Sequence, residues 1–202
     1  AIRRFDPVTE SWDTLAEVVD GQRLQTPNDL CFDRQGNLIF TCPNYASETA
    51  TGYICSLSAD GVVKKIGEGF FRPNGLELVA DGSELVVGDT YQKALFKGTW
   101  DAQSSAWNQV ERWAEVGGRE GPDGMPLGQD VLLYVAIYGD GVIRLVDQQG
   151  QVSKELLLPG RNPTNAAIDP AGKLGLVVTE AEKGLLLSLP QVQPGAVTRW
   201  HP

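Results

Sequence analysis

A repeat with a period of 41 to 49 residues constrains the fold of this chain more than any other feature of its sequence. Four segments begin alike, with a proline followed by asparagine, aspartate or threonine, and they cover residues 27–33, 73–79, 122–128 and 163–169. Each segment leads into a turn that contains Asp or Gly, residues that adopt turn conformations readily. Internal periods of this length are typical of propellers and solenoids.

Three further strand-like runs follow the opening segment of each repeat. The second strands are predicted at 37–41, 84–88, 132–136 and 174–179, the third at 52–57, 94–98, 141–146 and 184–189, and the fourth at 62–66, 110–113, 152–156 and 196–200. Four short strands per repeat predict an all-β chain, a β-propeller of four-stranded blades. A β-sandwich is the main alternative, but sandwiches do not repeat their loop chemistry.

The first residues of the chain continue the pattern out of phase. Residues 2–9 and 12–18 resemble the third and fourth strands of a blade whose first and second strands are absent. We therefore expect one propeller domain over residues 1–202, with four full blades and an orphan outer strand pair, lacking its N-terminal blade and part of the next. If the chain is no longer than this, a second copy is expected to cover the open blade faces as a homo-oligomer, because each blade packs on two neighbours.

Charge and composition exclude several classes of partner. The chain has 17 Lys and Arg against 26 Asp and Glu, a formal net charge of −9, which disfavours nucleic acid. The longest apolar run, residues 131–138, is far shorter than the roughly 20 residues of a membrane helix, so no membrane partner is expected. Three cysteines without a C-x-x-C pair disfavour a zinc cage and predict reduced thiols in a cytoplasmic protein.

One position of the repeat carries oxygen-bearing side chains. It holds Asn28, Asn74 and Asp123, with Thr164 and Asn165 in the fourth repeat. In a propeller, the loops that enter the innermost strands surround the central channel, so these residues are predicted to converge on the axis. Oxygen donors that converge suit a hard divalent cation. The alternative is that Asn and Asp after proline only shape turns.

Aromatic and basic side chains near the same ends of the strands are further candidates. Tyr45, Tyr91 and Tyr138 follow second strands, where they would either line the channel mouth or pack between strands. Arg72 precedes the second opening segment and would either meet an anionic group or lie on the solvated surface. Three tryptophans of one blade are expected to pack between blades: Trp100, Trp107 and Trp113.

The repeat motifs resemble the gluconolactonase, regucalcin and luciferin-regenerating enzyme family. The resemblance is carried by P-N-D-L at 27–30, P-N-G-L at 73–76, P-D-G-M at 122–125, Y-V-A-I-Y-G-D-G-V-I at 134–143, and the last-blade segments 162–165 and 178–181. It covers most of the chain. It implies a six-bladed propeller with one divalent metal ion in the central channel, most often Ca²⁺, with Mg²⁺, Zn²⁺ or Mn²⁺ as alternatives.

The resemblance also implies a ligand set. The family's asparagine and aspartate ligands match Asn74 and Asp123, and a further asparagine beside metal and substrate matches Asn28, which we count among the metal ligands. The family's third ligand, a glutamate of the first blade, has no counterpart in this sequence. Thr26 replaces a substrate-contacting arginine of animal members, and Cys42 stands where many bacterial members have aspartate.

The resemblance implies a metal-dependent hydrolase of the lactonase type that acts on a sugar lactone or a similar small ester, and this is the function we expect. Asp123 is the candidate catalytic residue, which would orient or deprotonate the attacking water, and Asn28 and Tyr138 are expected to contact the substrate. A non-catalytic propeller that binds Ca²⁺ or a small ligand is one alternative. A phosphotriesterase-like hydrolase on the same scaffold is another, because a fold does not fix a function.

Overall fold

The computed structural model describes residues 1–44, 49–193 and 195. In these residues the secondary structure is β-strand, apart from one 3₁₀ turn at Ala80–Gly82. Two hairpins come first: β1 (Ile2–Asp6) with β2 (Ser11–Ala16), and β3 (Val18–Val19) with β4 (Gln22–Arg23). Within the described residues no helix is long and apolar enough to cross a membrane.

Four antiparallel sheets follow, each a meander in chain order, and we name them blades A to D. Blade A is β5 (Leu30–Phe32), β6 (Leu38–Cys42), β7 (Gly52–Leu57) and β8 (Val63–Phe70). Blade B is β9 (Pro73–Val79), β10 (Glu84–Asp89), β11 (Ala94–Asp101) and β12 (Ala106–Glu115). Blade C is β13 (Gly121–Pro122), β14 (Leu133–Tyr138), β15 (Val142–Val146) and β16 (Val152–Leu157), and blade D is β17 (Pro163–Ile168), β18 (Leu176–Glu180) and β19 (Leu185–Leu189).

This arrangement confirms the predicted β-propeller. The order of strands in each blade is the predicted one, and the hairpin of β1 and β2 is the predicted outer pair. The fourth strand of blade D, predicted at 196–200, lies outside the described residues. The short hairpin of β3 and β4 was not predicted. Its Val19 joins Ile2 and Ala16 in an apolar cluster against Phe40 of blade A, so this hairpin connects the outer pair to the blades.

The innermost strand of blade C is shorter than predicted. β13 holds only Gly121 and Pro122, although the sequence predicts a strand over 122–128. Proline has no N–H to donate, and both Pro122 and Pro126 fall in this segment. Irregular backbone bonds replace the regular pairing: Asp123 N donates to Ala136 O at 2.8 Å, and Tyr134 N donates to Pro126 O at 3.0 Å.

Two glycines allow the innermost strands of neighbouring blades to approach each other. A Cβ atom on Gly75 would lie 2.2 Å from the backbone oxygen of Asp123, and one on Gly124 would lie 2.9 Å from the Cα atom of Asn165. Both distances are too short for a side chain. The glycine of each P-N-G or P-D-G motif therefore brings the preceding Asn or Asp close to the next blade.

Apolar clusters fill the space between blades. The A–B interface holds two indoles from blade B among other apolar side chains of both blades: Ile39, Ile54, Phe70, Leu76, Leu78, Leu85, Val87, Trp100 and Trp107. The B–C interface has an aliphatic core, with Trp113 half-buried at its edge: Val86, Leu95, Ala114, Val116, Met125, Leu133, Val135, Ile137, Val142 and Val146. The predicted packing of the tryptophans between blades is confirmed, with Trp100 and Trp107 buried and Trp113 only partly so.

Candidate functional site

Three of the residues predicted to converge do so. Asn28 precedes β5, Asn74 is the second residue of β9, and Asp123 directly follows β13, so three blades contribute one side chain each. The Asn28 Nδ2 atom donates a hydrogen bond to Asn74 Oδ1 at 2.5 Å. The Asp123 carboxyl accepts a hydrogen bond from the Asn74 side chain. We call Asn28, Asn74 and Asp123 the axial group.

Buried threonines fix the orientation of Asn74. The Thr90 hydroxyl donates to the backbone oxygen of Pro122 at 2.7 Å, so its oxygen accepts from Asn74 Nδ2 at 3.1 Å. With its nitrogen directed at Thr90, the Asn74 amide presents its oxygen to Asn28. Thr41 donates to the backbone oxygen of Asn74 at 2.9 Å and ties this strand to blade A. The sequence analysis missed both threonines, although each one lies at or next to the end of the second strand of its blade.

A second carboxylate of the site was also missed. Asp29 is half-buried, and burial raises its pKa although its carboxylate accepts hydrogen bonds from the backbone N–H groups of Leu30 and Leu76. In the repeat, Asp29 occupies the position that Gly75 and Gly124 hold in the next two blades. That substitution of aspartate for glycine is the sequence signal that identifies it.

The electrostatic environment of Asp123 is that of a buried carboxylate near another one. Together these surroundings raise the pKa of Asp123 to about 7: burial is the main cause and the negative charge of Asp29 adds to it, while the positive charge of Arg72 and the Asn74 hydrogen bond act in the opposite direction. A cation beside Asp123 and Asp29 would relieve both the desolvation and the repulsion. The site therefore favours positive charge near Asp123.

Arg72 belongs to this site rather than to the solvated surface. Its side chain is half-buried, its guanidinium carbon lies 5.3 Å from the centre of the Tyr91 ring, and its charge acts on Asp123. The Asp89 carboxylate holds the backbone by accepting from Arg72 N at 3.1 Å and from Phe71 N at 2.8 Å. Arg72 and Tyr91 therefore form a fixed cationic and aromatic edge to the axial group.

The remaining candidates lie near the axial group without a hydrogen bond to it among the described residues. Tyr138, at the end of β14, is half-buried and pairs with Gly121, two residues before Asp123. The Thr164 hydroxyl lies 2.7 Å from the hydroxyl of Thr179, a partner in its own blade. The Asn165 oxygen accepts from the N–H of the next residue at 2.8 Å. Tyr45 lies outside the described residues.

The axial group fits a hard divalent cation by its donor chemistry. In the part of the chain that the structure describes, no three His, Cys, Asp or Glu side chains form a metal cluster. The available donors are instead the oxygens of two amides and one carboxylate, a set that suits Ca²⁺ or Mg²⁺ and lacks the nitrogen or sulfur that Zn²⁺ prefers. Three donors are fewer than the six to eight that Ca²⁺ takes, so water, substrate or further groups would complete the coordination.

A family model described as the SMP-30/Gluconolactonase/LRE-like region matches residues 1–182. The chain belongs to the SMP-30/gluconolactonase/LRE-like family. This membership confirms the resemblance on which the sequence analysis drew, and the match includes all three residues of the axial group.

Comparisons with individual relatives and solved structures support this family assignment. The chain is 30% identical over 182 residues to the diisopropyl-fluorophosphatase of Loligo vulgaris, covering 81% of this chain and 56% of the relative. A gluconolactonase structure from Xanthomonas campestris superposes with a TM-score of 0.77 at 26% identity, over 90% of this chain and 62% of the other. A regucalcin structure from Agrobacterium tumefaciens gives a TM-score of 0.78 at 24% identity, over 89% of this chain and 61% of the other, and shares the fold.

The chain thus spans between about half and two thirds of the length of these relatives. Its strands match the propeller of the known structures, and its motifs match the family model.

Proposed function

We propose that the protein is a metal-dependent hydrolase of the lactonase type that acts on a sugar lactone or a similar small ester. The observation that carries the proposal is the axial group, in which side chains from three blades form one hydrogen-bonded unit beside a second half-buried carboxylate, that of Asp29. Family membership and the likeness to a gluconolactonase structure at 26% identity support the same reaction class.

In this proposal Asn28, Asn74 and Asp123 hold one divalent cation, and Ca²⁺ suits their oxygen-only donors best. A bound divalent cation supplies Lewis-acid polarisation of a carbonyl oxygen. The chain contributes a preset geometry, because Thr90 holds the side-chain amide of Asn74 and Thr41 holds its backbone oxygen before any ligand arrives. Preorganised dipoles of this kind need no rearrangement during the reaction.

The side chains of the site have separate roles in the proposed reaction. Asp123 orients the attacking water and accepts its proton, and the water oxygen bonds to the lactone carbonyl carbon. The ring C–O bond then breaks, the leaving oxygen takes up the proton that Asp123 accepted, and the product is a hydroxy acid. Asn28, which is exposed at the mouth, and Tyr138 contact the substrate in this proposal. Arg72 attracts the carboxylate that ring opening creates.

Calorimetric titration with CaCl₂, combined with a lactonase assay on gluconolactone, tests the proposal. We expect one Ca²⁺ site per chain, and hydrolysis that EDTA abolishes and CaCl₂ restores. Asp123→Ala is expected to lose both Ca²⁺ binding and hydrolysis. The matched control Asp60→Ala, which removes an exposed turn carboxylate, is expected to retain both. Unchanged Ca²⁺ affinity in Asp123→Ala would refute the ligand assignment, and Ca²⁺ binding without turnover would favour a non-catalytic propeller.

A second reaction is favoured by one specific observation, the 30% identity with a diisopropyl-fluorophosphatase over 182 residues. Hydrolysis of a phosphorus ester uses the same elements, a polarised oxygen and an oriented water. Fluoride release from diisopropyl fluorophosphate distinguishes the two substrates. Fluoride release that is faster than lactone hydrolysis would make the phosphorus ester the better substrate assignment.

A cytoplasmic location is also part of the proposal, since the free thiols of Cys31, Cys42 and Cys55 suit a reducing compartment.

A further inference from the structure

A cavity lies at the opposite end of the innermost strands from the axial group. It has a volume of about 500 Å³ and opens where blade B meets blade C, beside the turn that follows β5 in blade A. We call it the B–C crevice, and its walls include Val79, Trp113, Leu127 and Val146. Asn74 and Val79 mark the two ends of β9, so the two sites are separated by about 16 Å of extended strand.

The size and walls of the B–C crevice suit a small organic molecule. Ligand sites commonly have volumes of about 300 to 1,000 Å³, apolar walls and a few polar groups. Leu78, Leu133 and Val146 form a fully buried apolar floor, and half-buried Trp113 contributes an aromatic wall. These residues belong to complete strands of blades B and C, so the cavity is a property of the packed blades.

The A–B interface shows what fills the equivalent space. There the indole of Trp100 is inserted between the blades, and its N–H donates to the Asp33 carboxylate at 3.0 Å. At the B–C interface, β15 ends at Val146 and no indole is inserted from blade C. An aromatic ring that carries an N–H donor is therefore the shape and chemistry that this repeat accommodates between blades.

Charges at the rim of the B–C crevice select among aromatic ligands. Four carboxylates line it against two basic side chains: Asp33, Asp81, Glu84 and Asp147 against Arg34 and Lys97. Both basic groups are already paired, Lys97 with Glu84 at 3.4 Å and Arg34 with Asp81. The excess of carboxylates, within a chain of formal net charge −9, disfavours anionic ligands and favours cationic ones.

A strained residue marks the edge of the B–C crevice. Val131 lies in the turn before β14 with a φ of 57°, a left-handed conformation that is unfavourable for a β-branched residue, and 49% of its surface is exposed. Strained backbone of this kind concentrates at binding sites. Val131 lines the crevice and presents an exposed apolar side chain there.

We propose that the B–C crevice binds a small aromatic molecule that carries an ammonium or N–H group and no carboxylate. Such a ligand would place its ring on the aliphatic floor beside Trp113 and direct its nitrogen at the acidic rim, where Asp147 has no ion-pair partner among the described residues. The site is separate from the axial group and binds independently of it.

Isothermal titration with three matched probes, tryptamine, indole and indole-3-acetate, tests this proposal on the full chain. The ring is the same in all three and only the charge differs. We expect tryptamine to bind most tightly, and indole-3-acetate to bind at least about tenfold more weakly. Binding of indole-3-acetate as tight as that of tryptamine would overturn the charge argument. Failure of all three to bind the folded chain would overturn the site.

Two variants locate the binding. Val79→Phe, which adds a ring to the wall, is expected to abolish tryptamine binding while circular dichroism shows an intact β-fold. Glu84→Gln removes the carboxylate that compensates the charge of Lys97, so it is expected to weaken tryptamine binding by about tenfold and leave indole nearly unchanged, whereas the exposed control Asp60→Asn changes neither. Tryptamine affinity unchanged in Val79→Phe, or lost on addition of CaCl₂ and gluconate, would place the binding elsewhere and refute the proposal.

Discussion

Blade B packs against blade A on one side and blade C on the other, and the two interfaces are filled differently. At the A–B interface, β11 and β12 are 8 and 10 residues long and carry Trp100 and Trp107 into the cluster. At the B–C interface, β15 and β16 are 5 and 6 residues long and the cluster core is aliphatic. The longer outer hairpin of blade B, formed by β11 and β12, therefore places its indoles against blade A and fills the A–B interface.

Hydrogen bonds hold the side chains at the A–B interface in place, one within blade B and one between the blades. The Trp107 indole N–H donates to the backbone oxygen of Leu85 at 3.1 Å, and the amide of Asn37 donates to the backbone oxygen of Ala102 at 3.0 Å. Its indoles thus have apolar contacts and satisfied N–H groups, which buried tryptophan requires. Blades with the same strand order therefore leave different amounts of space at their interfaces, depending on the length of one hairpin.

The largest expected effect is on the sealed interface. Trp100→Ala removes a buried indole and leaves Asp33 without one of its donors, so we expect the free energy of unfolding to fall by about 3 to 5 kcal/mol. Trp113→Ala, at the open interface, is expected to cost about 1 to 2 kcal/mol because its ring is only half-buried. Urea denaturation measures both. Equal losses would remove the distinction between the interfaces.

The next effect concerns the carboxylate that receives the Trp100 indole. Asp33→Asn replaces an acceptor with an N–H₂ group that faces the donors of Trp100 and Asn37, so we expect a loss of about 1 to 3 kcal/mol. Asp81→Asn, in the corresponding turn of blade B, is the control. It breaks only an exposed ion pair with Arg34 and is expected to cost less than about 1 kcal/mol. Thermal unfolding that ranks them in the reverse order would contradict the role of Asp33.

A smaller effect of opposite sign is expected at the edge of the open interface. Val131→Asn places a residue that tolerates the left-handed conformation at a φ of 57°, so we expect about 1 kcal/mol of added stability. The same substitution at Val62, which is 52% exposed and has no positive φ, is the matched control with no expected gain. If both variants change stability equally, Val131 is not strained.

The smallest effect tests whether the B–C crevice is open space. Val79→Phe fills part of it, and filling a cavity commonly adds about 0.5 to 2 kcal/mol, of which we expect the lower half because Val79 is only partly buried. Differential scanning calorimetry measures the change. A loss of stability would show that the blades already close the space. A gain in stability would instead show, as Trp100 does at the A–B interface, that an aromatic ring can fill the space between two blades of this repeat.

Local sequence determined the blades. Alternating strands and Asp or Gly turns depend on neighbouring residues, so the strand order of blades A to C and the outer pair of β1 and β2 followed from the chain alone. The position of Asn28, Asn74 and Asp123 followed from the repeat, because equal offsets in equal blades meet on one axis. The local pattern failed at β13, where two prolines interrupt the regular pairing.

Tertiary structure decided which groups meet across blades. The hydrogen bond from Thr90 to Pro122, the influence of Asp29 on Asp123, and the insertion of Trp100 against Asp33 join residues 32, 94 and 67 positions apart. Periodicity fixes the face on which a side chain lies, but it does not specify the neighbour on the next blade. The same holds for the B–C crevice, since a cavity is defined by side chains that fail to meet. Those contacts depend on how closely the blades pack, and that distance is set by the whole fold.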